Sequence, residues 1–406
     1  MTNTATRNLP TDSEPQPAHD LPVPDLTDET LAAVTAEVAE TAAAYDRSGA
    51  VPVRGLEAAH RAGLFTASVG RQYGGPGLGP RETARILIAL GEGDPSVALI
   101  VANTLAAHAT QAANGHWPKD LYDDVLRRSA AGPAPVNAIR AEPELGAPAR
   151  GGLPKTTVRR SRSGWVLDGH KSYATGGAAL AYHVVWAVAD EPDGDPAAPR
   201  VGHVIVPGDL PGITWVDTWD HLGLRASNTH DVRYEAVELP EEAFVEIPRG
   251  ADGVYRDPAA MAGPGSFGHP ALYIGAARAA RQAFREFART RVPAALGRPI
   301  ATTERIQSVA GEIDLQIAQA ETLLHGALLR VEAGDESILP QLPVIKVAIA
   351  RSVVAAVQTA VAALGNPALS RRNQLERHLR DVLCVRVHPP QEDAALLAAG
   401  RRLLET

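Results

Sequence analysis

The stretch LDGHKSYATGG, Leu167 to Gly177, stands near the middle of the chain, and its reading decides the fold. Asp168-Gly169 is a tight-turn signal, and an aromatic, a threonine and two glycines follow at what reads as a strand end. Small groups there let a flat ligand approach the backbone. On its own, a tyrosine at a strand end more often packs than touches a ligand.

Working outward, the flanking runs TTVRR, GWVLDGHKSYAT, YHVVWAVAD, RVGHVIVP, GITWV and DVRYEAVELP have β character. Gly, Pro, Asp and Ser punctuate them, and the spacing predicts a compact antiparallel barrel or sandwich over 133–247. Before this lies a helical domain, 26–132. Thr27 with Asp28 and Glu29 reads as a helix start, followed by an Ala-rich run to about Tyr45. Helices are also expected at Arg54–Ala62 and over RETARILIALGEGD and PSVALIVANTLAAHATQAANG. After the β segment, 255–406 is helical again. Leu272, Ala276, Ala279, Ala280, Ala283 and Phe287 share one face. Ile306, Ile313, Ile317, Ala320, Leu324, Leu328 and Val331 share another. Gly365-Asn366-Pro367 stops a third helix, and the set predicts a four-helix bundle. Residues 1–25, Pro-rich and polar, read as a disordered tail.

Composition narrows the function. The 406 residues carry a net charge of −8, which argues against nucleic-acid binding. One cysteine excludes an internal disulfide. The N-terminus has no apolar signal-peptide core, and no run reads as a membrane span, so a cytoplasmic protein is expected. No metal site is read, because there is no HExxH and no carboxylate spacing typical of one. YGGPGLG lacks the spacing of a phosphate loop and reads as a helix connection. No GxSxG nucleophile elbow occurs.

Four motifs in order resemble the acyl-CoA dehydrogenase superfamily of flavoproteins, over nearly the whole chain after residue 25. They are GLFTASVGRQYGGPGLGPRETARILIALGEGDPSVAL, AEPELG at 141–146, GHKSYATGGA, and LGLRASNTHDVRYEAVELP. The resemblance implies an α+β fold: an N-terminal helical domain, a central antiparallel β-barrel and a C-terminal four-helix bundle. It also implies FAD as cofactor. Tyr173 would pack on the flavin ring, Thr175 would hydrogen-bond near its N5, and backbone around Ile139, Ala141 and Glu142 would contact its polar edge. Ala141 and Ala147 replace the usual Thr and Ser. Family members are usually dimers or tetramers in which the adenosine end of the flavin reaches a neighbour. Arg291, Gln307 and Gly365 lie in the segments that would do this. Ala362 stands where a Gln is usual, which weakens the FAD grip and makes FMN possible.

Abstraction of the weakly acidic α-proton of a thioester needs a carboxylate base. In most family members this Glu stands eight residues after the Asp of an Arg-Asp pair. In RDVLCVRVHPPQED, Arg380–Asp393, that position is Pro389. The other familiar position falls in GPGSFGHPALYIG, Gly263–Gly275, which has no carboxylate. His388 precedes Pro389. The spacing resembles the branch with monooxygenase activity, which includes dibenzothiophene monooxygenase and amino-sugar nitrososynthases. These take reduced flavin from a separate reductase and oxygenate a small-molecule substrate. A histidine can hydrogen-bond or shuttle a proton there near neutral pH. The reading is therefore a flavin-dependent oxidoreductase leaning to a two-component monooxygenase. The alternatives are an acyl-CoA dehydrogenase with a displaced base, for which Glu392 and Asp393 are candidates, and a non-catalytic flavin-binding scaffold. The Arg380-Asp381 pair reads as structural, and Cys384 as a small buried residue.

Overall fold

A computed structural model of the chain describes residues 19–145, 152–191, 195, 198–255 and 267–405. Residues 1–18 of the expected tail, Ala147, and the start of the Gly263–Gly275 stretch lie outside the described residues.

Five helices come first: α1 (Asp28–Ser48), α2 (Val53–Arg61), α3 (Pro80–Gly93), α4 (Pro95–Asn114) and α5 (Lys119–Ala131). Their ends follow local chemistry. The Thr27 side chain caps α1 by accepting from the Thr30 amide at 3.3 Å, and Gly49 ends it at φ 67°. Asp94 caps α4 through the Ser96 amide at 2.8 Å, with Pro95 in the first turn. The YGGPGLG segment is a tight connection between α2 and α3, as read from the sequence, with the Gly77 and Leu78 amides bonded to Val69 and Ala67 carbonyls.

Eight strands follow: β1 (Val136–Ile139), β2 (Thr157–Arg160), β3 (Gly164–Ala174), β4 (Tyr182–Asp190), β5 (Val201–Pro207), β6 (Ile213–Val216), β7 (His230–Pro240) and β8 (Phe244–Glu246). They form one sheet in the order β6-β7-β3-β2-β4-β5-β8, with β1 beside β4. Pairing is antiparallel except where β1 and β2 meet β4, which run parallel. The expected tight turn at Asp168-Gly169 is instead an irregularity inside the continuous strand β3. Two contacts account for it. A Cβ at Gly169 would stand 2.4 Å from Thr156 Oγ1, and Asp168 Oδ1 accepts from the Ala236 amide at 2.8 Å. A glycine and a short acceptor therefore serve a bulge as well as a turn.

The C-terminal helices are α6 (Gly268–Thr290), α7 (Glu304–Glu332), α8 (Leu342–Leu364), α9 (Asn366–Leu369), α10 (Leu375–Leu383) and α11 (Glu392–Leu404). Helices α6, α7, α8 and α10 pack on one another as a bundle. Of the residues expected on the first inward face, Leu272, Ala276 and Ala280 are buried, but Phe284 fills the core where Phe287 was expected. The α7 face is buried from Ile306 to Leu328 as read. The apolar core of the N-terminal helices is continuous with that of the bundle. Contact between α3 and α6 is so close that a Cβ at Gly91 would lie 2.1 Å from the Leu272 carbonyl oxygen. One at Gly275 would lie 2.2 Å from the Ile88 carbonyl oxygen. One helical stretch, Glu336–Leu364, is long and apolar enough to cross a membrane by length and composition alone. Its residues Val347, Ile349, Val353, Val354 and Val357 are buried in the core, which accounts for its hydropathy.

Candidate active site

Two groups of residues flank the N-terminal half of α4. A Cβ at Gly176 would lie 3.8 Å from Ile100 Cγ2, and one at Gly268 would lie 3.8 Å from Ala102 Cβ. The β-sheet side therefore meets one face of α4, and the start of α6 meets another.

On the sheet side, a second register shift in β3 falls between Lys171 and Ala174. It lifts Tyr173 out of the ladder. Tyr173 has φ 62° and is 58% exposed, an unusual combination for a bulky aromatic. Such strain costs about 1–3 kcal/mol and concentrates at functional sites. Thr175, next but one, is buried in a chain of hydroxyls. Thr229 Oγ1 lies 3.1 Å from Thr175 Oγ1 and 2.7 Å from Ser227 Oγ, and the Gly176 amide donates to the Ser227 carbonyl.

Ile139 is buried in β1, and the Ala141 carbonyl accepts from the Ser172 amide at 2.9 Å. Glu142 has a further role that its expected backbone contact did not foretell. Its carboxylate accepts from Lys171 Nζ at 2.8 Å, from the Lys155 and Thr156 amides, and from Thr156 Oγ1. Burial pushes the Glu142 carboxyl up, but the Lys171 ammonium and these hydrogen bonds outweigh it and hold the group below its ordinary value. Lys171 is pushed down to about 8 by burial and stays protonated at pH 7. The pair staples the loop after β1 to the strand carrying Tyr173.

The Arg380-Asp381 pair clasps three parts of the molecule. Arg380 donates to both Asp46 carboxylate oxygens at the end of α1, at 2.9 and 2.7 Å, and to Glu376 and the Leu222 carbonyl. Asp381 Oδ1 accepts from the Leu224 amide at 2.7 Å. Gly223 allows this approach, since a Cβ there would be 2.3 Å from the Arg380 carbonyl oxygen. The pair locks α10 to α1 and to the segment running into Ser227 and Thr229, so its structural role extends beyond one helix turn. Cys384 is half-buried, and burial pushes its thiol up to about 12, so it stays a thiol.

On the bundle side, His388 Nε2 lies 2.8 Å from the Tyr273 hydroxyl. Its ring stacks on His269 with centroids 4.4 Å apart and planes 10° off parallel. Lys346 Nζ donates to the His388 carbonyl, and to the Pro390 carbonyl at 2.8 Å. Part of His388 reaches solvent, yet its ring is packed deeply enough that burial, then His269 and Lys346, hold it well below the ordinary imidazole value. Burial likewise holds His269 to about 4 and Lys346 to about 8. At pH 7 both imidazoles are neutral and Lys346 is largely a cation.

Tyr273 is fully buried and touches the site through its hydroxyl. His108 belongs to the core. Its Nδ1 is 2.9 Å from the Tyr122 hydroxyl, and the ring packs edge-on against Tyr122. Glu392 meets Arg351 of α8 at 3.1 Å, and Asp393 is exposed in the first turn of α11. Arg291, Gln307 and Gly365 lie far from His388. Arg291 ends α6 exposed, Gln307 donates to the Ala301 carbonyl at 3.2 Å, and Gly365 ends α8 at φ 66°. Lys346 and Gly365 are separated by roughly 28 Å of helix. Arg281, Arg285, Arg289 and Gln307 line a surface cleft of about 390 Å³ at that end. Sequence reading missed His269 and Lys346. The signals were a histidine in the first turn of α6 and a lone lysine inside the apolar run PVIKVAIA.

An N-terminal helical region, a β-sheet bearing a strained exposed tyrosine, and a helical bundle bearing a stacked histidine pair make up the molecule. The chain belongs to the acyl-CoA dehydrogenase superfamily of flavin-dependent oxidoreductases. Its residues 25–121, 138–237 and 267–390 match the acyl-CoA dehydrogenase N-terminal, middle and C-terminal domains in turn. It is 28% identical to a putative acyl-CoA dehydrogenase, YdbM, of Bacillus subtilis (strain 168), over 91% of this chain and 94% of that one. It is 30% identical to an L-evernosamine nitrososynthase of a Micromonospora species, over 75% and 69%. The crystal structure of KijD3 with FMN and a dTDP-linked amino-keto sugar superposes with a TM-score of 0.79 at 25% identity, covering 94% of this chain and 95% of that one.

Proposed function

We propose that the protein is a two-component flavin monooxygenase acting on a small organic substrate, with reduced flavin delivered by a separate reductase. The observation that carries this reading is His388, held on Tyr273 where the dehydrogenase branch has its base segment, with Pro389 at the base position itself. Neither candidate replacement carboxylate supports the alternative: Glu392 is engaged by Arg351, and Asp393 faces solvent.

The residues present fit a flavin. Tyr173 offers an exposed ring, and Thr175 offers a hydroxyl beside it. Tyr173, Thr175 and the backbone of Ile139–Glu142 would hold the ring system. FMN suffices for these contacts; FAD would extend toward a second copy, through Arg291, Gln307 and Gly365, in a dimer or tetramer. When bound and reduced, the flavin supplies the electrons that activate O2. The neutral His388 imidazole has one nitrogen on Tyr273, and among the described residues the other meets no partner. That second nitrogen donates or accepts one proton at the reacting oxygen, its role complementary to the one fixed by Tyr273.

The YdbM likeness favours acyl-CoA dehydrogenation as the second reading. His388→Ala tests the role assigned here. With a generic flavin reductase and NADH, oxygen-dependent turnover of the flavin-loaded variant falls about 100-fold. Unchanged turnover removes His388 from the mechanism.

A further inference from the structure

The loop after α10 carries His388 on a short irregular segment. Its neighbours Arg386 and Val387 are exposed, Val387 by 67%. A loop of this kind does not fix a side chain to hydrogen-bond precision by itself. Two contacts tie it down. The Tyr273–His388 bond restrains the ring, and the Lys346 ammonium restrains the backbone on both sides of Pro389. Lys346 is only 5% exposed, sits in an otherwise apolar turn of α8, and, among the described residues, has no carboxylate partner. A buried cation without a counter-ion is costly to keep, and this one is satisfied by main-chain carbonyls alone.

We propose that Lys346 is a positioning residue for His388: its ammonium fastens the carbonyls of His388 and Pro390 to α8 and so holds the imidazole between His269 and Tyr273. A methionine would fill the space and provide no donor. The inference rests on the reading of His388 as the proton-handling group of the site. The charge acts with the hydrogen bonds. The groups facing His388 are His269 and Tyr273 from α6 and Lys346 from α8, with Asp381 and Cys384 of the α10 end beyond Tyr273. Lys346 is the nearby cation, and it disfavours a second charge on either ring. Its removal both frees the loop and lifts that repulsion, and the two effects raise the titration midpoint of His388 together.

The test is a pH titration of 15N-histidine-labelled, flavin-loaded, full-length protein by NMR, with His388→Ala identifying the signal. In Lys346→Met, the titration midpoint of His388 rises above that of wild type, toward that of a free imidazole. In Lys346→Arg, which keeps a cation and donors, it titrates as in wild type. A wild-type titration in Lys346→Met overturns the proposal. If Lys346→Met does not fold, Lys346→Arg decides: a free-imidazole titration there overturns it. The readout needs no oxygen chemistry, so it stands apart from the functional reading. A shifted His388 signal together with full turnover of His388→Ala leaves the positioning role intact and removes the catalytic one.

Discussion

Tyr173 concentrates the trade between stability and function in one residue. Its positive φ is strained for any side chain but glycine, and its ring is left exposed rather than packed. Tyr173→Gly should therefore leave thermal stability unchanged or raise it by about 1 kcal/mol, because relief of strain offsets the added chain entropy. The same change should weaken flavin binding about tenfold or more, read by fluorescence titration. A variant that loses stability but binds flavin normally would make Tyr173 an ordinary packing residue. At this scale the sequence was partly legible. The motif placed Tyr173 and Thr175 correctly at a strand end. It hid both irregularities of β3: Asp-Gly is equally at home in a turn, and nothing in Lys171–Ala174 signals the second shift, which lifts Tyr173. His269 and Lys346 were illegible for a related reason: each is a single basic residue in an apolar stretch of its helix, and only the fold shows that three elements bring them to His388.

Elements position the site through close backbone contact. Helix α6 carries His269 and Tyr273 and lies against α3 where Gly91 and Gly275 admit the facing carbonyls. Gly275→Ala would force a methyl to about van der Waals overlap with backbone, not with a flexible side chain. The helices must separate, at a cost of about 1–3 kcal/mol or more. We expect a lower urea midpoint and a looser Tyr273–His388 contact. An unchanged midpoint would show that α3 and α6 are not held as described. The Arg380 clasp acts at the same scale, joining α1, α10 and the Leu222–Leu224 segment. Helical periodicity revealed which helices exist and most of their inward faces. It put Phe287 where Phe284 belongs, because both fall within reach of one apolar stripe and only the packed partner selects between them.

Across the whole molecule, the N-terminal helices and the bundle share one core, and buried neutral histidines occur in every part. Burial holds His108, His183 and His269 to about 4 and His378 to about 3. In the unfolded chain each would titrate near about 6.5, so below that pH the unfolded state binds more protons. Their stabilising contribution is present above about 6.5 and is lost as pH falls toward about 4. Asp381, raised to about 7 by burial, and Asp94 and Glu92, raised by burial as well, work in the opposite direction, but the imidazoles, His388 included, outnumber them. The urea midpoint should be lower at pH 5 than at pH 7; an equal or higher midpoint would contradict this balance. The order of helical, β and helical segments was legible at this scale because each kind of periodicity fills a long block. The chemistry was legible only as a substitution, His388-Pro389 where a base was expected. The central claim is that this substitution marks oxygen chemistry. Its most direct test is anaerobic titration of the purified, flavin-loaded protein with a panel of saturated acyl-CoA thioesters, followed by admission of O2 with a reductase and NADH. The account predicts no bleaching of the flavin by any thioester and reductase-dependent oxygen consumption; bleaching by an acyl-CoA, with slow reoxidation by O2, would contradict it.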